Sequence, residues 1–164
     1  MAPIRVAVVT ISDGVVRGTR SDTSGQAITQ WVEQRGDALV AHALVADDAA
    51  QIAARLIELA DGGCDVVLTT GGTGLTLRDV TPEATGVVIT RAVPGIAEAL
   101  RARGAAHTPY AALSRGVAGV RGQTLIINLP GSESGVRDGL ALLDELLNHA
   151  VQLLHGIETD KHAR

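Results

Sequence analysis

Aliphatic segments alternate along the chain with segments whose apolar residues recur every three or four positions. The aliphatic segments are short and rich in Val, Ile and Leu, which is typical of strands buried in a sheet. They span residues 4–11, 38–45, 65–70, 117–121 and 124–129. Gly122-Gln123 separates the last two, and this spacing predicts a two-residue β-hairpin.

The segments between the strands carry start and stop signals for helices. Side chains that can cap a helix precede the apolar periodicity, and glycine or proline follows it. The predicted starts are Ser21 or Asp22, Asp47-Asp48 and Thr81, and the predicted ends are Gly36, Gly62-Gly63 and Pro94-Gly95. Thr81-Pro82-Glu83 is the clearest start, because Thr can cap, Pro suits the first helical position and Glu faces the positive end of the helix dipole.

The last third of the chain predicts two more helices. One spans residues 96–103 and ends at Gly104, and residues 108–115 after it are expected to be irregular. The other is long and amphipathic, because apolar residues step by three or four positions over residues 136–154. The polar tail 158–164 is expected to be frayed.

This order of elements predicts an α/β fold with three layers, in which a mostly parallel sheet lies between helices and ends in an antiparallel edge hairpin. No linker or repeat divides residues 1–164, so a single domain is expected. In such sheets ligands bind beyond the carboxyl ends of the strands. Four loops follow predicted strands there, and each holds glycines or polar residues: Ser12-Asp13, Ala46-Asp47-Asp48, 71–79 and Pro130-Gly131-Ser132.

The composition argues against several classes of function. A net charge of −4 and only two aromatic residues, Trp31 and Tyr110, provide neither a basic face nor stacking platforms for nucleic acid. Cys64 is the single cysteine, so the chain can form no internal disulfide or thiolate metal site, which fits a reducing compartment. No apolar run approaches the roughly 20 residues of a membrane span, and the N-terminal residues lack the layout of a signal peptide. The cytoplasm is therefore the expected location.

The segment Thr70-Gly71-Gly72-Thr73-Gly74 carries the strongest chemical signal. Glycines permit positive φ angles and close approach, so several backbone N–H groups can point at one spot and bind a phosphate. The segment is neither a P-loop nor a dinucleotide fingerprint, because no Gly-Lys-Ser/Thr follows and the G-x-G-x-x-G spacing is absent. We interpret it as an anion-binding loop, with a ligand-free tight turn as the alternative.

Two aspartates near these loops are candidates for a metal site. Because Thr81 is the predicted cap, Asp79 has no evident structural role in its loop. A carboxylate beside a bound phosphate is repelled unless a cation lies between them, and Mg²⁺ prefers oxygen ligands. Asp47 is the second candidate, although either Asp47 or Asp48 can instead cap the helix that follows.

Ser114 and Arg115 form one further polar pair, and the sequence shows no triad that would activate a covalent nucleophile. Ser114-Arg115 offers a hydroxyl and a planar guanidinium, which suit a phosphate or the edge of a heterocycle, or else form a surface turn. The chain contains no Ser-His-Asp pattern. An enzyme of this kind would act by positioning and electrostatics.

Taken together, the motifs resemble the MogA/MoaB family of molybdenum-cofactor biosynthesis proteins. The matching segments occur in the order seen in that family: 9–13, Asp47-Asp48, 70–74, 78–84, 113–115 and 127–131. The glycine loop followed by Arg-Asp-Val-Thr-Pro-Glu-Ala over residues 78–84 is the most specific part. The resemblance covers about residues 4–154 and implies a molybdopterin-binding α/β fold that assembles as a homotrimer, with other cofactor-biosynthesis proteins as further expected partners.

The resemblance also implies an activity, the adenylylation of molybdopterin by ATP with release of pyrophosphate and with Mg²⁺ as the metal. It implies that Asp47 and Asp79 are catalytic and hold the metal. The binding residues that it implies are Ser12, Asp13, Gly71, Gly72, Thr73, Gly74, Thr81, Glu83, Ser114, Arg115, Asn128, Pro130, Gly131 and Ser132. Within this set, the resemblance puts Ser114 and Arg115 on the pterin side.

The chain departs from the family pattern at two places. Ala46 stands where the family often has Pro, and Ser132-Glu133 stands where Asn or Gln and then Pro are usual. Two other functions remain open on the sequence. One is a non-catalytic molybdopterin-binding carrier of the MoaB type, and the other is a small nucleotide-binding protein acting on a different phosphate ester.

Overall fold

A six-stranded sheet lies at the centre of the computed structural model, which describes residues 1–157. The strands are β1 (Arg5–Ile11), β2 (Ala38–Val45), β3 (Val66–Thr70), β4 (Arg91–Ala92), β5 (Ala118–Arg121) and β6 (Thr124–Leu129), in the spatial order β2-β1-β3-β6-β5-β4. β2, β1, β3 and β6 are parallel, whereas β5 pairs antiparallel with β6 and with β4. The predicted mostly parallel sheet with an antiparallel edge hairpin is confirmed, and the tail predicted to fray lies outside the described residues.

Helices cover both faces of this sheet. They are α1 (Asp13–Val16), α2 (Thr23–Gln34), α3 (Ala49–Asp61), α4 (Thr81–Val88), α5 (Pro94–Ala105) and α6 (Glu133–Leu154), with a 3₁₀ helix at Pro109–Leu113. Because successive strand residues point to opposite faces, Val6 and Val8 pack with α2, α5 and α6, while Ala7 and Val9 pack with α3 and α4. Among residues 1–157, no helix has the length and apolar character that crossing a membrane requires.

The start of α4 differs from the prediction. Val80 holds the cap position and makes no side-chain cap bond, and Thr81 is already the first helical residue. The Thr81 hydroxyl instead donates to the carbonyl of Gly71 at 2.9 Å. The helix opening therefore bonds to the glycine loop, and Thr81 is not the cap that the sequence pattern indicated.

The end of α4 also differs, because Pro94-Gly95 does not terminate it. The helix ends at Val88, and Pro94 begins the next helix, α5. Between them Thr90 donates its backbone N–H to Val120 and Arg91 pairs with the same residue across the ladder, so this segment becomes the edge strand β4. This pairing with β5 is distant in sequence, which is why local signals did not indicate it.

The four parallel strands end at one edge of the sheet. The loops after Ile11, Val45, Thr70 and Leu129 therefore lie side by side there. Backbone contacts join neighbouring loops, since the Ser12 N–H donates to the Val45 carbonyl at 3.0 Å. This edge is where the candidate site is found.

Candidate active site

Two adjoining pockets lie at the carboxyl edge of the sheet. The first is polar, about 360 Å³ in volume, and brings together these predicted site residues: Ser12, Asp47, Gly71, Gly72, Thr73, Gly74, Asp79 and Gly131. The second is more apolar, about 440 Å³, and brings together Thr73, Gly74, Ser114, Asn128, Pro130 and Ser132. Thr73 and Gly74 line both pockets, so the glycine loop is the wall that they share.

The glycine loop is held from behind through its carbonyl groups. The Gly71 and Gly72 carbonyls accept from the hydroxyl and the N–H of Thr81, at 2.9 and 3.1 Å. The Thr73 and Gly74 carbonyls accept from the N–H and the Nε of Arg115, at 2.9 and 2.8 Å. Thr81 and Arg115 therefore hold four consecutive carbonyls of the loop.

This arrangement leaves the opposite side of the loop as a set of donors. Within residues 1–157, the N–H groups of Gly72, Thr73 and Gly74 donate to no protein acceptor. Gly71 and Gly72 have φ angles of 95° and 68°, the left-handed region that glycine adopts without strain. Consecutive free amides in such a conformation form a concave anion-binding site.

Asp47 and Asp48 have separate roles in the structure. Asp48 caps α3, because its carboxylate accepts from the Gln51 N–H at 2.9 Å. Asp47 lines the polar pocket, and its Oδ2 accepts from the Asp13 N–H at 2.9 Å. Asp13 returns a matching contact, since its Oδ1 accepts from the Asp47 N–H at 3.1 Å. Of the two neighbours, Asp47 is therefore the one that lines the pocket.

Asp79 lines the same pocket, but the expectation that it has no structural role is wrong. Its Oδ2 accepts from both the N–H and the hydroxyl of Thr76, at 2.9 and 2.8 Å. These two bonds close the turn at 76–79. The other carboxylate oxygen, Oδ1, has no hydrogen-bond partner among the described residues.

Two ion pairs hold the loops around the pockets. Arg78 donates to Asp13 Oδ2 through Nη2 at 2.7 Å and through Nε at 3.0 Å. These bonds, followed by the bond from the Asp47 backbone, lower the pKa of Asp13. Arg115 forms a close ion pair with Glu83, and its hydrogen bond lowers the pKa of Glu83.

Several predicted binding residues lie behind the pockets or are already engaged in protein contacts. Asp13, Thr81, Glu83 and Arg115 line neither pocket. The Asn128 amide donates to the hydroxyls of Thr69 and Thr85 at 3.0 and 2.9 Å. Ser132 caps α6 by accepting from the N–H of Gly135.

The structure adds a polar cluster that sequence reasoning did not identify. The Thr10 hydroxyl donates to Asp22 Oδ2 at 2.9 Å, and His42 Nε2 lies 3.0 Å from the same oxygen. Asp22 Oδ1 caps α2 through the Gly25 N–H. Thr10 and Asp22 line the polar pocket. The only sequence signal was the cap position of Asp22, because Thr10 and His42 meet through the pairing of β1 with β2 and Asp22 reaches them from the start of α2.

The described carboxylates do not form a complete metal site by themselves. Within residues 1–157, no group of three or more His, Cys, Asp or Glu side chains is arranged to hold a metal ion. Asp47 and Asp79 both face the polar pocket next to the amide donors of the glycine loop. This donor set fits a cation such as Mg²⁺ that takes one or two carboxylates and completes its shell with substrate phosphates and water.

Comparison with known proteins gives consistent matches over nearly the whole chain. The model of a family described as "Probable molybdopterin binding domain" matches residues 7–149. A Helicobacter pylori (strain J99) protein named molybdopterin adenylyltransferase is 40% identical over 159 residues, covering 95% of this chain and 90% of that protein. An Escherichia coli K12 protein of the same name is 37% identical over 163 residues, covering 96% and 81%.

Solved structures of related proteins also superpose on this fold over nearly the whole chain. The crystal structure of the molybdopterin biosynthesis enzyme MoaB from Thermus thermophilus superposes with a TM-score of 0.88 at 48% identity, covering 93% of this chain and 97% of that one. The tungsten cofactor synthesizing protein MoaB from Pyrococcus furiosus superposes with a TM-score of 0.85 at 32% identity, covering 96% and 99%.

Proposed function

Because this chain belongs to the family of the molybdopterin-binding domain, we propose that it is a molybdopterin adenylyltransferase of molybdenum-cofactor biosynthesis. In this reaction an oxygen of the terminal phosphate of molybdopterin attacks the α-phosphorus of ATP. The bond from that phosphorus to the β-phosphate oxygen breaks, and pyrophosphate leaves. The observation that carries the proposal is the glycine loop. Four of its carbonyls accept hydrogen bonds from Thr81 and Arg115, three of its N–H groups have no acceptor among the described residues, and it lines one pocket together with two aspartates.

The amides of the loop would bind the phosphate at which the reaction occurs. Their N–H groups are fixed by the contacts of Thr81 and Arg115, so they need no reorganisation when charge redistributes over the phosphate oxygens. Preorganised donors of this kind stabilise a transition state more than water does. The contribution that we assign to the chain is therefore positioning and electrostatics.

Asp47 and Asp79 would hold Mg²⁺, which when bound supplies positive charge between the carboxylates and the substrate phosphates. Each of these two aspartates has one carboxylate oxygen that accepts structural hydrogen bonds. The other oxygen of each is unengaged among the described residues. Neither aspartate has to break a contact of the fold in order to bind a cation.

The apolar pocket would hold a heterocyclic ring. Leu100, Leu113 and Ala111 contribute to its wall, and Ser114 supplies a hydroxyl. We assign this pocket to the pterin, in keeping with the implied pterin side of Ser114. Since Thr73 and Gly74 line both pockets, a ring bound here brings its phosphate to the amides of the glycine loop.

The pair Asp47 and Asp48 provides a test with a built-in control. Asp47→Asn keeps an oxygen that can accept from Asp13 but removes the charge, so we expect turnover to fall about a hundredfold. Asp48→Ala removes the cap of α3, so we expect a loss of about 1 kcal/mol of stability and nearly unchanged turnover. The measurements are steady-state pyrophosphate release and urea unfolding. A folded Asp48→Ala variant that is inactive, beside an active Asp47→Asn variant, would reverse the assignment. If the protein were a non-catalytic carrier, neither carboxylate would be needed for its function.

We further propose that the protein is a homotrimer that acts in the cytoplasm. Apolar side chains available for an interface include Leu77, which is 98% exposed, and Tyr110, which is 77% exposed. Sedimentation equilibrium should give three times the 16.8 kDa of one chain. A single species of monomer mass at micromolar concentration would exclude the trimer.

A further inference from the structure

Arg20 is the one cationic side chain that lines the polar pocket in the part of the chain that the structure describes. Three carboxylates line the same pocket, those of Asp22, Asp47 and Asp79. A substrate that carries several phosphate charges would therefore enter a site whose side chains are mostly negative. Besides a divalent cation, Arg20 is the available source of compensating charge.

Two other arginines at this edge of the sheet, Arg78 and Arg115, are already engaged. Arg78 binds Asp13, and Arg115 binds Glu83 together with the carbonyls of Gly74 and Asp79. Arg20, by contrast, makes no side-chain hydrogen bond or ion pair with any described residue. A guanidinium with its planar array of N–H donors free is suited to bidentate binding of a phosphate.

The backbone fixes the place of Arg20 at the pocket. The Gly14 carbonyl accepts from the N–H groups of Thr19 and Arg20, at 2.9 and 3.2 Å, and from the Thr19 hydroxyl at 3.2 Å. Gly18, with φ of 73°, makes the reversal that returns the chain to this carbonyl. These contacts tie Arg20 to α1, which follows Ser12 in the wall of the pocket. The side chain is exposed, so it is free to meet an entering anion.

We propose that Arg20 is a phosphate-binding residue of the polar pocket. The inference rests on the proposed function, which supplies two sources of the phosphate. One is the pyrophosphate part of ATP, and the other is the terminal phosphate of molybdopterin. In either case Arg20 binds through charge-assisted hydrogen bonds and offsets the repulsion from the three carboxylates.

Arg17 provides the matched control, since it belongs to the same loop but lines neither pocket. Three variants are compared with the wild type: Arg20→Ala, Arg20→Lys and Arg17→Ala. Calorimetric titrations use three probes in the presence of Mg²⁺: inorganic pyrophosphate, an ATP analogue with a methylene bridge between the α- and β-phosphorus, and molybdopterin. Thermal unfolding is recorded for each variant, and we expect no change because Arg20 has no intramolecular partner to lose.

We expect Arg20→Ala to weaken binding about tenfold to a hundredfold, Arg20→Lys to weaken it less, and Arg17→Ala to change it less than twofold. A loss confined to pyrophosphate and the ATP analogue assigns Arg20 to the nucleotide, and a loss confined to molybdopterin assigns it to the other substrate. Unchanged affinity of folded Arg20→Ala for all three probes would overturn the inference, as would an equal loss in Arg17→Ala. A protein that binds phosphates through Arg20 but transfers no adenylyl group would contradict the proposed function and leave this inference intact.

Discussion

Asp79→Asn is expected to lower the rate of pyrophosphate release from ATP and molybdopterin by about a hundredfold or more. Asp79 lines the polar pocket beside the glycine loop, and in our proposal its carboxylate helps to hold the metal. The asparagine amide oxygen can still accept from the N–H and hydroxyl of Thr76, so the turn at 76–79 should persist. The loss should therefore appear in turnover with little change in the thermal midpoint.

Asp79→Ala separates the charge of this residue from its structural contacts. Alanine removes the charge and both acceptors, so we expect the same loss of turnover together with a lower thermal midpoint. If Asp79→Asn turned over within twofold of the wild type, the catalytic role of Asp79 would be wrong. If only Asp79→Ala were inactive, Asp79 would be a residue that shapes the loop.

Gly71→Ala is expected to destabilise the fold by about 3 kcal/mol and to abolish measurable turnover. Gly71 has a φ of 95°, and a Cβ at this position would overlap the carbonyl oxygen of Ile11 in the neighbouring strand end. Because that oxygen belongs to the backbone, it cannot move aside as a flexible side chain would. The loop would have to shift, and its amides would no longer point at one position. Urea unfolding and pyrophosphate release measure the two effects.

Gly63→Ala is the control for the backbone strain alone. Gly63 has a φ of 89°, yet a Cβ there would have no neighbour within 4 Å. We expect this variant to lose about 1 kcal/mol and to keep its activity. Equal stabilities of the two variants would show that the overlap with Ile11 is relieved at no cost. The claim that the glycine loop is too rigid to accommodate a Cβ at Gly71 would then be wrong.

Much of the fold was predictable because local pattern and tertiary structure agree. The segments 38–45 and 124–129 are the observed strands, and Asp22 caps α2 as one of its two predicted candidates. The second of these strands is buried inside the sheet and the first is a half-buried edge strand, and in both the aliphatic composition and strand formation coincide. By contrast, β4 has two residues and exists only through pairing with β5, which no local signal contains.

In the candidate site, too, some features could be predicted from local sequence and others depend on contacts between residues distant in sequence. The position of the glycine loop at the carboxyl edge of the sheet was predictable, since three glycines in four residues directly follow a buried strand. The position of Arg115 behind that loop was not, because its contacts with Thr73 and Gly74 join residues about forty positions apart. Chemistry could be inferred from residue types, but whether a guanidinium faces a ligand or the backbone depends on packing.

The most direct test of the central claim is pyrophosphate release by the purified protein from ATP, with and without molybdopterin and with and without Mg²⁺. The account predicts release that requires all three and that accompanies the formation of one adenylylated molybdopterin for each pyrophosphate. A protein that bound molybdopterin and released no pyrophosphate under any of these conditions would contradict it and identify a carrier.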